Sequence, residues 1–335
     1  MRFYNRLTPP RLRTTSYQVL FEFGSAFTKV VLNGRLIFYE PTIFVWRPKE
    51  EKVWLLGQSA YLSQAKLADD FLLVRPIKRK AIANVKFFRL YLAKLLQALK
   101  LKQVFLPWKR FKVQVILPAE ITEAQRQLLK EVVRGILPQA RFSLSTKLVL
   151  SHRRFFNDSR FLLDLSRTLS LTAFHQGQVV DLKHYFWGEV ELDQQLRSLV
   201  QDRFGAKLDV FSLDHLKRQL VSLNLAKTSP KQLVIRAKDV KTGLGRTIAL
   251  TSQDLLPAVE VWFEELVDYV GDFFAQLEGV AAVDLVENGL SLVGGLAKLD
   301  HLDEALSQRL GCEVKRLPHS DLFLIEQLKA SLKEN

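Results

Sequence analysis

The chain has 335 residues, 48% apolar and 25% charged, enough for a folded protein with a substantial core and, by length, for two domains. One cysteine, Cys312, excludes an internal disulfide framework and a cysteine-based zinc site, and fits a reducing compartment. A net charge of +14 points to an anionic partner: nucleic acid, a lipid surface or an acidic protein.

Residues 1–16 read as a basic tail, in which Arg2, Arg6, Arg11 and Arg13 alternate with Phe3, Tyr4 and Leu7, and Pro9-Pro10 blocks regular structure. This segment lacks the apolar core of a secretory signal peptide. No run of about 18 uncharged apolar residues follows, so no membrane span is expected and the cytoplasm is the expected compartment.

From Tyr17 the chain is rich in β-formers. Val19-Leu20-Phe21-Glu22-Phe23 leads into the small-residue turn Gly24-Ser25-Ala26, and Thr28 to Val31 forms the next strand. Asn33-Gly34 is a hairpin signal, Leu36 to Phe38 returns as a third strand, and Val53 to Leu56 adds an edge strand. Phe71 to Ala119 holds no acid and includes the run Lys78, Arg79, Lys80; it reads either as a solvated basic face or as an anion-binding surface. Within it, Val85 to Gln103 has helical spacing, with Phe87, Phe88, Tyr91, Leu92, Leu95, Leu96 and Leu99 on one face. That spacing is that of a core helix and argues against a nucleic-acid surface, despite Phe105, Trp108 and Phe111 nearby. Phe111 to Leu117 is a strand. A helix then opens at Thr122 and stops at Gly135, and Phe142 to Leu144 adds a short strand.

The pattern is then written again. Arg160 to Leu165 is a strand carrying Asp164, Ser166-Arg167-Thr168 is the turn, Leu169 to Phe174 the second strand, Gln176-Gly177-Gln178 the hairpin, and Val179 to Phe186 the third strand. The copies start about 140 residues apart, the mark of an internal duplication. Helical patterns occupy 192–204, 212–224, 254–277 and 301–310, a β-rich stretch lies at 232–250, and Leu290 to Leu296 is a buried strand ending on Gly294-Gly295. The expected division is a tail over 1–16, a first domain over 17–150 and a second over 151–335, with an inserted subdomain at about 205–255.

Two facing meanders of this kind make a nucleotide cleft. Small-residue turns expose backbone N–H groups to phosphate, and a carboxylate at the strand end before the turn holds Mg²⁺ through water. The first copy offers Glu22, Gly24, Ser25 and Thr28; the second offers Asp164, Ser166, Thr168 and Ser170. Gly294-Gly295 lets backbone approach a nucleoside.

These residues resemble the actin, chaperone and sugar-kinase superfamily, and the MreB family most closely. Phe21-Glu22-Phe23-Gly24-Ser25-Ala26-Phe27-Thr28 resembles the first phosphate motif, Asp-Leu-Gly-Thr-Ala-Asn-Thr. Tyr39-Glu40-Pro41-Thr42 resembles Asn-Glu-Pro-Ser, and Val74-Arg75-Pro76-Ile77-Lys78 resembles Ile-Arg-Pro-Leu-Lys. Leu163-Asp164-Leu165 stands at the second phosphate motif, and Gly188, Glu191 and Asp193 match Gly-Gly-Asp-Glu-Met-Asp. Asp214-His215-Leu216-Lys217 resembles the nucleoside-contacting Glu-Arg-Ile-Lys, and Leu292 to Leu299 the adenosine motif. The resemblance covers nearly the whole chain in the right order. It implies an α/β, actin-like (ribonuclease H-like) fold: duplicated domains, each a mixed sheet with flanking helices, facing across a nucleotide cleft.

The motifs are eroded. Glu22 and Phe27 replace the family's Asp and Asn, Ser166-Arg167-Thr168 stands where a glycine run is expected, and Arg79 replaces an Asp. The glutamate that positions the attacking water in the family falls at Thr146-Lys147-Leu148, which holds no acid. Arg167 and Lys147 either neutralise Asp164 in place of Mg²⁺ or point to solvent; a basic site could also hold nucleotide phosphates without hydrolysing them.

The resemblance thus implies a cytoskeletal or scaffold subunit linked to cell shape and wall synthesis, with ATP hydrolysis lost. Its partners would be copies of itself or a related actin-like subunit, morphogenesis proteins, and the anionic inner face of the membrane. The membrane would be reached through Arg2, Phe3, Tyr4, Arg6, Leu7, Lys78, Arg79 and Lys80. ATP would sit on Glu22, Gly24, Ser25, Thr28, Asp164, Ser166, Thr168, Asp214, Lys217, Gly294 and Gly295, with Mg²⁺, if retained, on Asp164. The alternatives are an actin-fold adaptor of pilus-assembly or division type and a working ATPase.

Overall fold

A computed structural model describes residues 16–64, 67–101, 110–150, 160–175, 178–224, 232–277 and 288–331. Arg2, Phe3, Tyr4, Arg6 and Leu7 of the tail lie outside the described residues, as do Phe105, Trp108 and Gln176-Gly177. The chain separates into two units: Met1–His152 with Leu324–Asn335, and Arg153–Phe323.

The first unit opens with the meander β1 (Ser16–Phe23), β2 (Phe27–Leu32) and β3 (Arg35–Pro41). Period-two alternation sends Tyr17, Val19, Phe21 and Phe23 of β1 into one core, which leaves Glu22 on the other face of the sheet. The β2–β3 turn has Asn33 and Gly34 at φ 48° and 78°, the positive values a two-residue hairpin requires. A small antiparallel sheet of β4 (Phe44–Arg47), β5 (Lys52–Leu56) and β6 (Leu72–Val74) follows, with helix α1 (Gly57–Ser63) between its second and third strands. Then come the hairpin β7 (Ile77–Lys78) and β8 (Ala81–Ile82) and helix α2 (Val85–Ala98). Asn84 caps α2 by accepting from Phe87 N at 3.0 Å, and the helix buries Phe88, Tyr91, Leu92, Leu95 and Leu96. The unit continues with β9 (Arg110–Leu117), α3 (Glu123–Arg134), β10 (Ala140–Leu144) and α4 (Ser145–Leu150). Its main sheet runs β10-β9-β1-β2-β3, with β9 and β10 parallel to β1 and the meander antiparallel.

The second unit repeats this. β11 (Arg160–Leu165), β12 (Leu169–His175) and β13 (Gln178–Tyr185) form the meander, followed by α5 (Glu189–Phe204). Next come β14 (Ala206–Lys207), α6 (Val210–Leu220), β15 (Gln232–Asp239) and β16 (Gly245–Thr251), whose strands make a separate three-stranded sheet. After α7 (Ser252–Ala275), β17 (Leu290–Val293) and β18 (Val314–Arg316) complete the order β13-β12-β11-β17-β18, again antiparallel in the meander and parallel beyond it. Strand for strand this is the first sheet's topology. Trp262 of α7 anchors the core: it stacks on Trp187 at 5.5 Å and donates its indole N–H to Gly188 O at 3.0 Å.

Candidate functional site

In each unit the turn after the first strand lies at the carboxyl end of parallel strands, where open α/β sheets take their ligands. In the first unit this turn is Gly24-Ser25-Ala26. Gly24 N donates to Phe27 O at 3.0 Å, and a Cβ on Gly24 would come within 2.7 Å of that oxygen, so no side chain fits. Glu22 and Lys29 face each other in the β1–β2 register. Lys29 Nζ lies 2.6 Å from Glu22 Oε1, and the two side chains are only 11% and 15% exposed. Glu22 Oε2 is buried with no hydrogen-bond partner among the described residues. The turn is held from outside by the β7–β8 hairpin: Lys80 N donates to Ser25 Oγ at 2.7 Å, and Lys80 Nζ pairs with Glu120 Oε1 at 2.7 Å.

Thr28 is fully buried. The Tyr91 hydroxyl donates to Thr28 Oγ1 at 2.8 Å, Thr28 and Thr42 share a hydrogen bond at 3.0 Å, and Thr42 donates to Gly24 O at 2.7 Å. Each hydroxyl proton has one direction in this chain, so the donors run from Tyr91 to the turn carbonyl. Burial pushes the Tyr91 phenol well above its ordinary pKa, against the opposing bond to Thr28.

In the second unit, Asp164 is paired in register with Ser170 of β12 and Val293 of β17. A Cβ on Gly294 would meet Leu165 O at 2.2 Å and Asp164 Oδ1 at 2.7 Å, and Gly294 has φ +98°. The acid and the late glycine turn are therefore neighbours, and Gly294 must lack a side chain; Gly295 has open space around its Cβ position. The Ser166-Arg167-Thr168 turn closes on itself through Ser166 N to Thr168 O at 3.1 Å and packs on Gly188, where a Cβ would lie 2.7 Å from Ser166 O. Thr168 Oγ1 is buried without a partner among the described residues.

Lys217 is 6% exposed at its side chain and sits 2.7 Å from Glu189 Oε1 and 2.5 Å from Asp193 Oδ1. Burial alone would lower the Lys217 pKa, but the two carboxylates outweigh it and hold the ammonium above its ordinary value. Burial raises Asp193, opposed by Lys217. Arg167 lies 3.8 Å from Glu189 Oε2, and Asp214 pairs with Arg218 at 2.6 Å along α6.

Comparisons with known proteins show what this chain is similar to. A family model described as MreB/Mbl protein matches residues 168–334. The cell shape-determining protein MreB of Pasteurella multocida is 21% identical over 308 residues, covering 88% of this chain and 86% of the relative. The cell shape-determining protein Mbl of Bacillus subtilis is 18% identical over 295 residues, covering 86% and 87%. Among solved structures, MreB5 of Spiroplasma citri bound to ADP superposes with a TM-score of 0.87 at 19% identity over 96% of this chain and 97% of that one. The MamK double helical filament gives 0.75 at 11% identity over 96% and 99%. The chain is an MreB-like actin-fold protein.

For an MreB-like protein, the first unit's turn is a poor seat for a divalent cation. Glu22 Oε1 already faces the Lys29 ammonium, Glu120 faces Lys80, and no cluster of three or more His, Cys, Asp or Glu side chains that could hold a metal occurs among the described residues. Glu22, Glu120 and their lysines therefore do not fit Mg²⁺. The second unit keeps Asp164 against Gly294, but puts side chains where the family's phosphate turn has glycine.

Among the described residues, several members of the expected site have other partners or exposures than a nucleotide cleft would ask of them. Lys80 is no part of an exposed basic surface; its side chain is 13% exposed and paired with Glu120, while Lys78 and Arg79 are exposed. Thr28 spends its hydroxyl inside the core. Lys217 is enclosed by carboxylates of its own unit, and the partner seen for Arg167 is Glu189. Lys147 is exposed on α4. Lys29, Glu120 and Glu189 were outside the expected site. The tight turn that brings Lys29 opposite Glu22 was a usable signal; nothing local in the chain points to Glu120.

Proposed function

We propose that this chain is a cytoskeletal subunit of the cell-shape type, which assembles with itself or with a related actin-like subunit and has lost ATP hydrolysis. The observation that carries the structural role is the length of the match: the MreB and Mbl relatives align over 86% or more of both chains, not over one module. Loss of hydrolysis rests on Thr146-Lys147-Leu148, where no acid can orient a water, together with Glu22 committed to Lys29. The basic tail and the exposed Lys78 and Arg79 support recruitment to the anionic inner face of a membrane. Among the described residues no helix is long and apolar enough to cross one.

The test is sedimentation and electron microscopy of the purified chain, alone and with ATP and Mg²⁺, beside a phosphate-release assay. Filaments or sheets with phosphate release at background are the expected result. A chain that stays monomeric throughout shifts the proposal to an actin-fold adaptor, and Mg²⁺-dependent turnover abolished by Asp164→Ala restores a working ATPase.

A further inference from the structure

Two acids stand at the carboxyl end of the first unit's parallel strands, Glu22 on β1 and Glu120 just beyond β9, and each has a lysine on it at 2.6 and 2.7 Å. All four side chains are at most 15% exposed. The two lysines come from different elements and by different routes. Lys29 is set by strand register and leans on the Tyr39 ring, 5.9 Å from its centroid. Lys80 is delivered by a hairpin turn in which both Arg79 and Lys80 hold positive φ, 50° and 61°. Non-glycine residues adopt that region at a cost, and such outliers persist only when their surroundings enforce them. Here the enforcing contacts are Lys80 N on Ser25 Oγ and Lys80 Nζ on Glu120.

We infer that Lys29 and Lys80 are tethered counterions of the phosphate turn, doing from inside the chain what a bound divalent cation does elsewhere. The inference rests on taking Gly24-Ser25-Ala26 as an eroded nucleotide turn. Its physical content is that the turn is complete without metal or nucleotide. Lys29 removes the repulsion a buried Glu22 would otherwise create, and Lys80 fixes Ser25 and neutralises Glu120 in one step. A mobile cation arriving at Glu22 would meet an ammonium already in place, with no free carboxylate oxygen except the buried Oε2. A Mg²⁺-nucleotide then stabilises the folded chain little, because the acids that would hold its cation are already paired, and a ligand that binds weakly shifts stability little.

The test is thermal unfolding of the full chain in EDTA, in Mg²⁺, in Mg²⁺ with ATP, and in EDTA with pyrophosphate. Tm is expected to agree across all four. Lys29→Met strands Glu22 and is expected to lower Tm in EDTA by about 5 °C, with part of the loss recovered by Mg²⁺. Glu22→Gln with Lys29→Met removes both charges and is expected to recover most of the loss and to ignore Mg²⁺, since removing a pair costs less than orphaning one partner. If Lys29→Met does not fold, a folded, metal-insensitive double variant supports the same conclusion. The inference is overturned if Mg²⁺ with ATP raises the wild-type Tm by several degrees, or if pyrophosphate does so in EDTA, which would make the lysines ligands for phosphate. It is equally overturned if Lys29→Met is as stable as wild type, or if the double variant is no better than the single. Filaments from a chain whose Tm responds to Mg²⁺ sink the tether and leave the proposed function standing; a metal-insensitive monomer does the reverse.

Discussion

Gly294 and Gly295 are adjacent and not equivalent. Alanine at Gly294 would place a methyl 2.2 Å from Leu165 O in a backbone with φ +98°, whereas the Cβ position of Gly295 is open. Gly294→Ala is expected to lose about 2 kcal/mol or more, while Gly295→Ala stays within about 0.5 kcal/mol of wild type. Urea denaturation of the two variants checks this, and a loss at Gly294→Ala as small as that at Gly295→Ala would show that Asp164 and Leu165 can yield. At this scale the chain was partly legible. Glycines and acids at strand ends announce themselves, so Asp164 and Gly294 could be named together from the sequence. Hydroxyl direction does not announce itself: Thr28 joins the Tyr91–Thr42–Gly24 chain only because α2 packs Tyr91 over the turn, a contact between segments far apart in sequence.

Among the elements, α7 is the one whose start is most fully specified. Thr251 Oγ1 accepts from Asp254 N at 3.3 Å, while Asp254 Oδ2 accepts from Thr251 N at 2.8 Å and from the Thr251 hydroxyl at 2.7 Å. These bonds hold the Asp254 carboxyl below its ordinary pKa. A depressed folded-state pKa means stability that is present above the unfolded value of about 4 and is lost as pH falls through the folded one. Asp254→Asn is therefore expected to cost about 1 kcal/mol at neutral pH, with the gap to wild type closing as the solution is acidified below about pH 4. Denaturation at pH 7 and pH 3 measures it; a gap unchanged by pH would assign the effect to packing instead. Helix periodicity and strand alternation made α2, α3, α5, α7 and both meanders legible, because each buries one face against a single core. The short elements α1, β7 and β8 carry too few residues for a period to register, and the β7–β8 turn uses Arg79-Lys80 where turn chemistry favours Asn-Gly.

Taken whole, the molecule combines a strongly basic surface with an interior that spends some of its cations on its own acids. Counting charges along the chain therefore overstates the basic charge left at the surface. Lys78 and Arg79 are exposed and should each add roughly 1 kcal/mol of attraction to an anionic bilayer at moderate salt. Lys78→Gln with Arg79→Gln is expected to weaken sedimentation with anionic liposomes, while Lys80→Gln lowers Tm. Equal binding to neutral and anionic liposomes would remove the membrane from the account. The return of residues from 324 onward to the first unit, with Ile325 and Leu328 at 0% and 1% exposure, has its own outcome on the ribosome. The first unit is completed only after the second has been made. It waits, lacking the helix Phe323–Ser331, while the whole second unit is synthesised, roughly 10–30 s at usual elongation rates. A chain released early, or a bulky tag fused at the C-terminus, should thus injure the end of the protein made first. With the chain stopped after residue 322, protease nicking is expected to rise within 16–150 and to leave 160–310 intact.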